Sequence, residues 1–252
     1  MNKLIIVVLY NKSVEDSETL LSLRSSFLGE GKIIVANNGP GHLYINNDFL
    51  SIFNVPIEIK EFINNKPLSY LYNDEIRVNP GYDCYIIFDD DTHIDIDYFN
   101  SIDSNEEYDI YLPRIVSNSD GLSYYPLLNE KPIEEVCSGV MKGDDKLSSI
   151  ASGLVINKTL IEKFCSAGEL LFDERFALYG VDVSLFKKID KLKRNKFTFT
   201  YSVISKINHD LSRVGSEYSH FRELERMYDS VLSKIHYSSS FFDSSLFIFK
   251  KL

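Results

Sequence analysis

The stretch 84–92, which reads Cys-Tyr-Ile-Ile-Phe-Asp-Asp-Asp-Thr, decides the fold class of this chain. Its apolar half predicts a strand over Tyr82–Phe88, because an uninterrupted apolar run is typical of a parallel strand covered on both faces. The aspartates fall at the carboxyl end of that strand. Open α/β sheets bind their ligands at this edge, so the stretch predicts both an α/β fold and the location of a site.

The segments that precede this strand form a β-α-β unit. Leu4–Leu9 is another continuous apolar run, Ser13–Leu28 predicts a helix that Ser13 would cap, and Lys32–Ala36 is rich in β-branched residues. The unit predicts a mostly parallel central sheet flanked by helices. The other predicted strands are Ile57–Phe62, Tyr108–Leu112, Ile150–Ile156 and Phe197–Ile207, and the other predicted helices are Leu68–Val78, Asp97–Ser101, Leu160–Cys165, Val181–Leu192 and Ser216–His236, with loops and a hairpin over Pro113–Ser148.

The composition excludes several classes of protein. The 252 residues include 27 Lys and Arg against 37 Asp and Glu, and the formal net charge of −10 argues against general nucleic-acid binding, which depends on cations. Cys84, Cys137 and Cys165 are too few and too widely spaced for a disulfide framework or a zinc site, which favours a reducing cytoplasm. The first apolar run is too short for an export signal or a membrane span. We therefore expect a cytoplasmic protein.

The acidic run Asp89-Asp90-Asp91 has two interpretations. Adjacent carboxylates repel one another and are costly to desolvate, so a fold gains no stability by placing them at a strand end. A divalent cation relieves the repulsion, since Mg²⁺ and Mn²⁺ prefer oxygen ligands and complete their shells with water and substrate phosphate. The alternative is a solvated acidic turn or helix N-cap. The buried strand directly before the run favours the metal site.

Several short motifs occur together in the order and spacing of one known family. They are Ile6–Asn11, Thr19–Leu23, Val35–Gly39, Asn73, Phe88–Asp91, Ser152-Gly153, Phe172–Glu174, Tyr179–Asp182 and His209. The set resembles the family 2 glycosyltransferases, closest to the bacterial rhamnosyltransferase-like enzymes of O-antigen or capsule biosynthesis, over roughly residues 4–210. This resemblance implies the GT-A fold, whose central sheet is Rossmann-like.

The resemblance also implies roles for individual residues. Asp91 and His209 would hold Mn²⁺ or Mg²⁺, and Asp182 would be the general base that deprotonates the acceptor hydroxyl. The nucleotide-sugar donor would be bound by Tyr10, Asn11, Asn37, Asn38, Asn73, Asp89 and Asp90, and the acceptor by Gly153, Asp173 and Glu174. Capping of a short segment is an equally good interpretation of Asp173 and Glu174. Without the resemblance, His209 would be interpreted as a loop residue.

The activity that the resemblance implies is an inverting, metal-dependent sugar transfer. The donor would be UDP- or dTDP-linked, with dTDP-rhamnose the first to consider, and the acceptor a hydroxyl of a bacterial surface polysaccharide. Two residues depart from the family pattern, because Asn37 replaces an Asp and Val181 replaces the Glu of a Glu-Asp pair. A sugar-phosphate nucleotidyltransferase is the first alternative, but residues 9–13 contain no glycine for a phosphate loop. A non-catalytic carbohydrate-binding protein is the second, but it would not need the acidic run or Asp182.

The chain is predicted to form a glycosyltransferase domain over residues 1–215 and a C-terminal helical extension over residues 216–252. Two features suit an anionic lipid surface, namely the basic stretch Lys187–Lys196 and the aromatic tail Ser238–Leu252. Such contact would hold the protein at the cytoplasmic face of the inner membrane. The alternatives are a solvated helix face for the basic stretch, and packing on the domain or a homodimer for the tail. The expected partners are a nucleotide sugar and a glycan or lipid-linked glycan acceptor, without nucleic acid.

Overall fold

The computed structural model describes residues 1–44, 47–103, 107–210 and 219–237. In these ranges the chain forms a ten-stranded sheet with helices on both faces and a separate three-stranded sheet. The strands are β1 (Lys3–Leu9), β2 (Gly31–Asn37), β3 (Ile57–Glu61), β4 (Cys84–Phe88), β5 (Thr92–His93), β6 (Ile110–Ser117), β7 (Ser123–Tyr125), β8 (Leu127–Leu128), β9 (Lys131–Pro132), β10 (Cys137–Val140), β11 (Leu147–Ser148), β12 (Leu154–Asn157) and β13 (Thr200–His209). The helices are α1 (Glu18–Ser26), α2 (Asn47–Leu50), α3 (Leu68–Val78), α4 (Ile96–Ile102), α5 (Lys158–Ser166), α6 (Val181–Arg194) and α7 (His220–Tyr237).

The large sheet follows the order β10-β13-β6-β12-β4-β1-β2-β3, and β5 and β7 pair with β13 and β6 respectively. The half formed by β3, β2, β1 and β4 is entirely parallel. In the other half, β12 runs antiparallel to β4 and β6, and β13 runs parallel to β6. Four of the seven neighbouring pairs in this order are therefore parallel. The predicted class, a mostly parallel sheet flanked by helices, is confirmed.

The register places the carboxyl ends of the parallel strands at one edge of the sheet. Leu9 of β1 lies opposite Asn37 of β2, and β4 ends opposite Val7 of β1. The residues that follow these three strands therefore emerge close together. At the same edge, His209 at the end of β13 pairs with Thr92 of β5, immediately after the acidic run. The sheet thus brings together residues that are more than a hundred positions apart.

Strands β1 and β4 bury both of their faces, whereas the edge strand β3 is only partly buried. In β1, the even-numbered residues from Leu4 to Val8 pack with α3, α5 and α6, and the odd-numbered residues from Ile5 to Leu9 pack with α1, α2 and α4. This double coverage explains why the sequence of β1 is continuously apolar rather than alternating.

The predicted helix Ser13–Leu28 is wrong at its start. Helix α1 begins at Glu18, and its N-cap is Ser17, not Ser13. Both serines satisfy the chemical preference for an N-cap, so a tertiary contact decides between them. Ser17 Oγ donates a hydrogen bond to the backbone carbonyl of Asp90 at 3.1 Å, which fixes the start of the helix beside the acidic run.

Other differences from the predicted elements have a simpler cause. The segment 113–148 contains the end of β6 and the short strands β7 to β11, where loops and a hairpin were expected. Strands of two to four residues are too short to show a periodic pattern in the sequence. Strand β13 begins at Thr200 and ends at His209, later at both ends than the predicted Phe197–Ile207.

Helix α7 packs against the domain through its last turns. The Tyr237 hydroxyl donates to Asp173 Oδ2 at 2.6 Å, and Lys187 Nζ donates to Ser233 Oγ at 2.5 Å. The predicted boundary between residues 215 and 216 and the tail 238–252 lie outside the described residues, so both stay predictions. None of the helices in the described ranges has the length and apolarity needed to cross a bilayer.

The basic stretch Lys187–Lys196 is bound largely within the protein. Lys188 Nζ donates to a backbone carbonyl at 2.7 Å, while Lys191 and Lys193 lie 2.7 and 2.9 Å from carboxylates. Ammonium groups held in this way do not form a free cationic face. These contacts favour an internal role for Lys188 and Lys193, and membrane contact through this stretch stays a prediction.

Candidate active site

The backbone of the acidic run is fixed from the side of α1. Thr19 Oγ1 donates to the carbonyl of Asp89 at 2.5 Å and accepts from the backbone N–H of Thr92 at 3.0 Å. From the other side, Ser152 Oγ accepts from the N–H of Asp89 at 3.2 Å and lies 2.6 Å from Thr92 Oγ1. Because hydroxyls hold the backbone of this loop, the aspartate side chains are aimed by the loop itself.

The middle aspartate of the run has a different role from its neighbours. Asp90 Oδ1 accepts from Lys12 Nζ at 2.5 Å, and Asp90 Oδ2 accepts from the backbone N–H of Tyr10 at 3.4 Å. Asp90 therefore ties the acidic run to the loop after β1. Its position in the nucleotide-sugar contact set stays a prediction, and Lys12 is a neighbour that the sequence reasoning missed.

Asp89, Asp91 and His209 form a compact cluster. His209 Nδ1 lies 3.0 Å from Asp91 Oδ1, and His209 Nε2 lies 3.8 Å from Asp89 Oδ2. One ligand atom from each residue lies within 4.8 Å of the others. Thr92 Oγ1, 3.1 Å from His209 Nδ1, fixes the orientation of the ring. The pairing of β13 with β5 is what places the histidine beside the two carboxylates.

The electrostatics of this cluster are unfavourable without a counter-ion. Asp89 keeps 44% of its side-chain surface exposed. Even so, desolvation by the surrounding atoms, helped by the charge of Asp91, raises the pKa of Asp89 to about 7 against the opposing effect of His209. Burial alone would lower the pKa of His209, but Asp91 and Asp89 outweigh burial and raise that pKa. A positive charge is thus favoured between the carboxylates.

The donor set fits a divalent cation. Asp91 Oδ1 is buried, and its neighbour inside the cluster is His209 Nδ1 at 3.0 Å, so two potential ligand atoms face each other there. Two carboxylates and an imidazole suit Mn²⁺, and carboxylates with water and phosphate suit Mg²⁺. The cluster could therefore hold either metal through Asp89, Asp91 and His209, and Asp89 joins the two ligands predicted from the sequence.

Asp182 lies in the first turn of α6, directly after the loop that ends at Gly180. Gly180 has φ of 78°, a backbone conformation that favours glycine, and the carboxylate of Asp229 on α7 lies against this position. Burial raises the pKa of Asp182 to about 6, although hydrogen bonds from the backbone of Val183 and Ala151 oppose that shift. The result is a carboxylate of raised basicity that acts electrostatically on Asp89.

Two of the residues predicted to bind the nucleotide sugar line a separate cavity of about 260 Å³. Asn11 and Asn37 both line it, together with His42 and Tyr44. The Asn37 amide donates to the carbonyl of Gly41 at 2.7 Å and to Glu61 at 3.0 Å, so it shapes the cavity wall.

Tyr10 and Asn38, the chain neighbours of Asn11 and Asn37, differ strongly in solvent exposure. Tyr10 is 55% exposed, whereas Asn38 is 3% exposed. The Asn38 amide donates to Asn65 Oδ1 and to the carbonyl of Lys66, each at 3.0 Å. Tyr10 is thus free to cover a ligand, and Asn38 holds a neighbouring loop.

Asn73, by contrast, is hydrogen-bonded within the protein, both to Glu174 and to the backbone. The Asn73 amide donates to the carbonyl of Phe172 at 2.9 Å and to Glu174 at 3.3 Å, and its oxygen accepts from the Phe172 N–H at 3.1 Å. Both side chains line a cavity of about 650 Å³ between α3 and α5 that reaches Asp83 at the amino end of β4. These contacts favour a structural role, and their predicted ligand contacts stay untested.

Gly153 and Asp173 are also enclosed. Gly153 has φ of 78°, and a Cβ at this position would clash with Ile207 at 2.5 Å, so glycine is required for strand packing there. Asp173 accepts from Arg175 Nε at 2.7 Å and from the Tyr237 hydroxyl at 2.6 Å. Burial would raise the pKa of Asp173, but these hydrogen bonds hold it well below the usual range. Of its two interpretations, the structural one is the better supported.

Comparison with solved structures finds the same fold in other proteins, among them TarS and GalNAc-T7. S. aureus TarS 1-349 in complex with UDP gives a TM-score of 0.59 at 14% identity, covering 97% of this chain and 68% of that chain. GalNAc-T7 with UDP, GalNAc and Mn²⁺ gives a TM-score of 0.56 at 11% identity, covering 83% of this chain and 44% of that chain. Against the longer TarS structure, this chain covers 41% of the other chain.

These similarities confirm the GT-A fold that the motif order implied. No protein-family model and no curated protein matches the chain. At identities of 11–14% the comparisons establish the fold alone, so the family 2 and rhamnosyltransferase-like assignments stay predictions.

Proposed function

We propose that this protein is a metal-dependent glycosyltransferase that moves a sugar from a nucleoside-diphosphate donor to an acceptor hydroxyl with inversion. The observation that carries the proposal is the cluster of Asp89, Asp91 and His209 at the carboxyl edge of a GT-A sheet. Support comes from the structural neighbours, since TarS has been crystallised with UDP and with UDP-GlcNAc, and GalNAc-T7 with UDP, GalNAc and Mn²⁺.

In this proposal Asp89, Asp91 and His209 hold the metal ion. When bound, the metal supplies positive charge that stabilises the diphosphate as it leaves. The cavity beside Asn11 and Asn37 accepts the nucleoside. Its volume of about 260 Å³ suits part of a nucleotide rather than a whole donor, so the diphosphate and sugar would extend from it towards the acidic run.

Asp182 is the proposed general base. Its carboxylate takes the proton of the acceptor hydroxyl while the acceptor oxygen bonds to the anomeric carbon and the bond from that carbon to the diphosphate oxygen breaks. Attack on the face opposite the leaving group inverts the anomeric centre and needs no covalent intermediate. A pKa of about 6 leaves Asp182 ionised at neutral pH yet more basic than an exposed aspartate, as a general base requires.

We propose the donor sugar and the acceptor only as classes of compound. A UDP- or dTDP-linked hexose or deoxyhexose and a bacterial surface glycan, free or lipid-linked, are the substrates that the motif resemblance favours. A screen of dTDP-rhamnose, UDP-galactose and UDP-hexosamines for release of the nucleoside diphosphate would identify the donor.

A thermal-unfolding experiment tests the site before any acceptor is known. We expect UDP or dTDP to raise the melting temperature only when Mn²⁺ or Mg²⁺ is present, because ligand binding stabilises the folded state. Asp91→Asn should abolish this metal-dependent shift. The matched control is Asp95→Asn, whose carboxylate lies just beyond β5 and is 64% exposed, and it should keep the shift. An equal shift with and without metal, or a full shift in Asp91→Asn, would contradict the proposal.

A further inference from the structure

Helix α7 lies along the segment 173–180, which leads directly to Asp182 in the first turn of α6. Four residues of this segment have a neighbour on α7. The pairs are Asp173 and Phe176 with Tyr237, Tyr179 with Arg226, and Gly180 with Asp229. Neither the metal cluster nor the general base includes a residue of α7, so these contacts have no place in the mechanism proposed above.

A chain of hydrogen bonds joins Tyr237 to the first turn of α6. The Tyr237 hydroxyl donates to Asp173 Oδ2 at 2.6 Å. The backbone N–H of Asp173 donates in turn to Ser184 Oγ at 3.2 Å, and Ser184 Oγ donates to the carbonyl of Val181 at 2.6 Å. Asp182 lies between Val181 and Ser184 in the sequence, so the chain ends on both sides of the proposed base.

The link between Tyr237 and Asp173 is enclosed and charge-assisted. Asp173 is 5% exposed, and its carboxylate also accepts from Arg175 Nε at 2.7 Å. Burial would raise the pKa of Asp173, but the hydrogen bonds from Arg175 and Tyr237 lower it, so the carboxylate stays ionised. Hydrogen bonds to an ionised acceptor are among the stronger ones in proteins. Loss of the Tyr237 hydroxyl alone should therefore loosen the segment.

Two further contacts hold the same turn of α6 against α7. Lys187 Nζ donates to Ser233 Oγ at 2.5 Å and lies 5.5 Å from the centroid of the Tyr237 ring. Ser233 Oγ also donates to Asp229 Oδ1 at 3.1 Å, and the Asp229 carboxylate lies against Gly180, the N-cap of α6. Helix α7 thus contacts α6 on both sides of its first turn, and a misplacement of about 1 Å can lower a reaction rate by about 10²-fold.

We propose that Tyr237 is a positioning residue for the general base. Through Asp173 and Ser184 it holds the first turn of α6, and with it the carboxylate of Asp182, in the orientation that takes the proton of the acceptor hydroxyl. The inference rests on the proposed function, because it takes Asp182 as the base. It assigns α7, which the sequence placed in a C-terminal extension, to the support of the transfer site.

Hydrogen exchange of backbone amides tests this link in the full chain without any substrate. The N–H of Ser184 donates to the carbonyl of Gly180 at 2.8 Å. We expect Tyr237→Phe to raise the exchange rate of this amide by about two- to tenfold, the range for one hydrogen bond, because the first turn of α6 opens more often. The amides of β4 should keep their rates. Tyr228→Phe is the matched control, since Tyr228 lies on α7 and is 55% exposed, and it should change neither. An unchanged rate at Ser184 in Tyr237→Phe would overturn the link.

The kinetic test follows release of UDP or dTDP from UDP-GlcNAc, UDP-galactose and dTDP-rhamnose with Mn²⁺, well below the melting temperature of each variant. We expect Tyr237→Phe to lower kcat by about three- to tenfold and to leave the KM for the donor and the metal-dependent nucleotide shift unchanged, because donor binding does not involve α7. Tyr228→Phe should keep the wild-type kcat. In the Asp182→Asn background, Tyr237→Phe should cause no further loss, because Tyr237 acts through Asp182.

The outcomes separate this role from the proposed function. A wild-type kcat in Tyr237→Phe, or an equal further loss of kcat in the Asp182→Asn background, would overturn the positioning role while the metal site and Asp182 stand. If wild type releases no nucleoside diphosphate from any of these donors and shows no metal-dependent shift with any nucleotide, the proposed function itself fails, and the role of Tyr237 fails with it.

Discussion

The proposed general base of this site is the carboxyl group of Asp182. It is held at the first turn of α6 by backbone hydrogen bonds, and burial raises its pKa to about 6. A base must be unprotonated to accept a proton, so a raised pKa has a direct kinetic consequence. Below pH 6 the group is increasingly neutral and cannot act.

We therefore predict that the transfer rate rises with pH, is half-maximal near pH 6, and falls about tenfold for each unit below that value. Asp182→Asn should lower the rate by about 10²- to 10⁴-fold, the usual contribution of a general base, and leave the metal-dependent nucleotide shift intact. The measurement is kcat between pH 5 and 8 at saturating donor. UDP–Mn²⁺ affinity over the same range separates this effect from protonation of Asp89. A flat profile, or transfer by Asp182→Asn near the wild-type rate, would refute the assignment.

At the residue level, the sequence was most informative where chemistry is concentrated. Asp89 and Asp91 could be found because three aspartates follow an apolar strand, and His209 could be found only through the motif order. The enclosed positions of Asn73 and Asp173 could not be predicted, because their partners are tertiary.

Among the secondary-structure elements, one buried carboxylate joins a helix to two strands. Asp109, just before β6, is 2% exposed. It accepts from Lys163 Nζ at 2.6 and 2.7 Å and from Thr159 Oγ1 at 2.8 Å, both on α5. It also accepts from the N–H of Thr200 at the start of β13 at 2.7 Å. Asp109 therefore fixes the relative position of α5, β6 and β13, and β13 carries His209.

We predict that Asp109→Ala lowers the free energy of unfolding by about 3 kcal/mol, because Lys163 loses its ion-pair partner and several donors lose their acceptor. For a chain of this size the melting temperature should fall by roughly 6–12 °C. Glu162→Gln, an exposed neighbour on α5, should change the stability by less than about 0.5 kcal/mol. Thermal unfolding of both variants checks the prediction, and equal melting temperatures would show that Asp109 is not the junction.

At the level of elements, the sequence predicted what local patterns encode. The apolar runs of β1 and β4 identified a sheet covered on both faces, and α3 was predicted with its observed bounds, Leu68–Val78. The start of α1 was missed because Ser13 and Ser17 are equally good caps by type, and only the contact with Asp90 distinguishes them. The strands β8, β9 and β11 are two residues long and exist through pairing alone.

At the scale of the whole molecule, the clustered carboxylates of the site lower the stability of the folded protein. A chain with a net charge of −10 keeps Asp89, Asp90 and Asp91 together and adds Asp182 nearby. Such clusters persist where activity requires them, so residues that serve the activity of a site commonly lower the stability of the protein. The conflict can be measured at Asp182, which lies outside the metal cluster.

The sign follows from the pKa values of the folded and unfolded states. Asp182 has a pKa of about 6 in the folded protein against an ordinary value of 3.8. Its contribution to stability is therefore full below pH 3.8 and is lost as the pH rises through about 6. Replacing the carboxyl by an amide removes this loss. We predict that Asp182→Asn, although strongly impaired in transfer, melts at a higher temperature than wild type at pH 8. The difference in melting temperature should shrink to less than half at pH 4.5, because the folded wild-type group is then protonated.

Thermal unfolding of both proteins without ligand at the two pH values is the measurement. If wild type is the more stable at pH 8, the ionised carboxylate is stabilised by its surroundings, and the raised basicity required of a general base is absent.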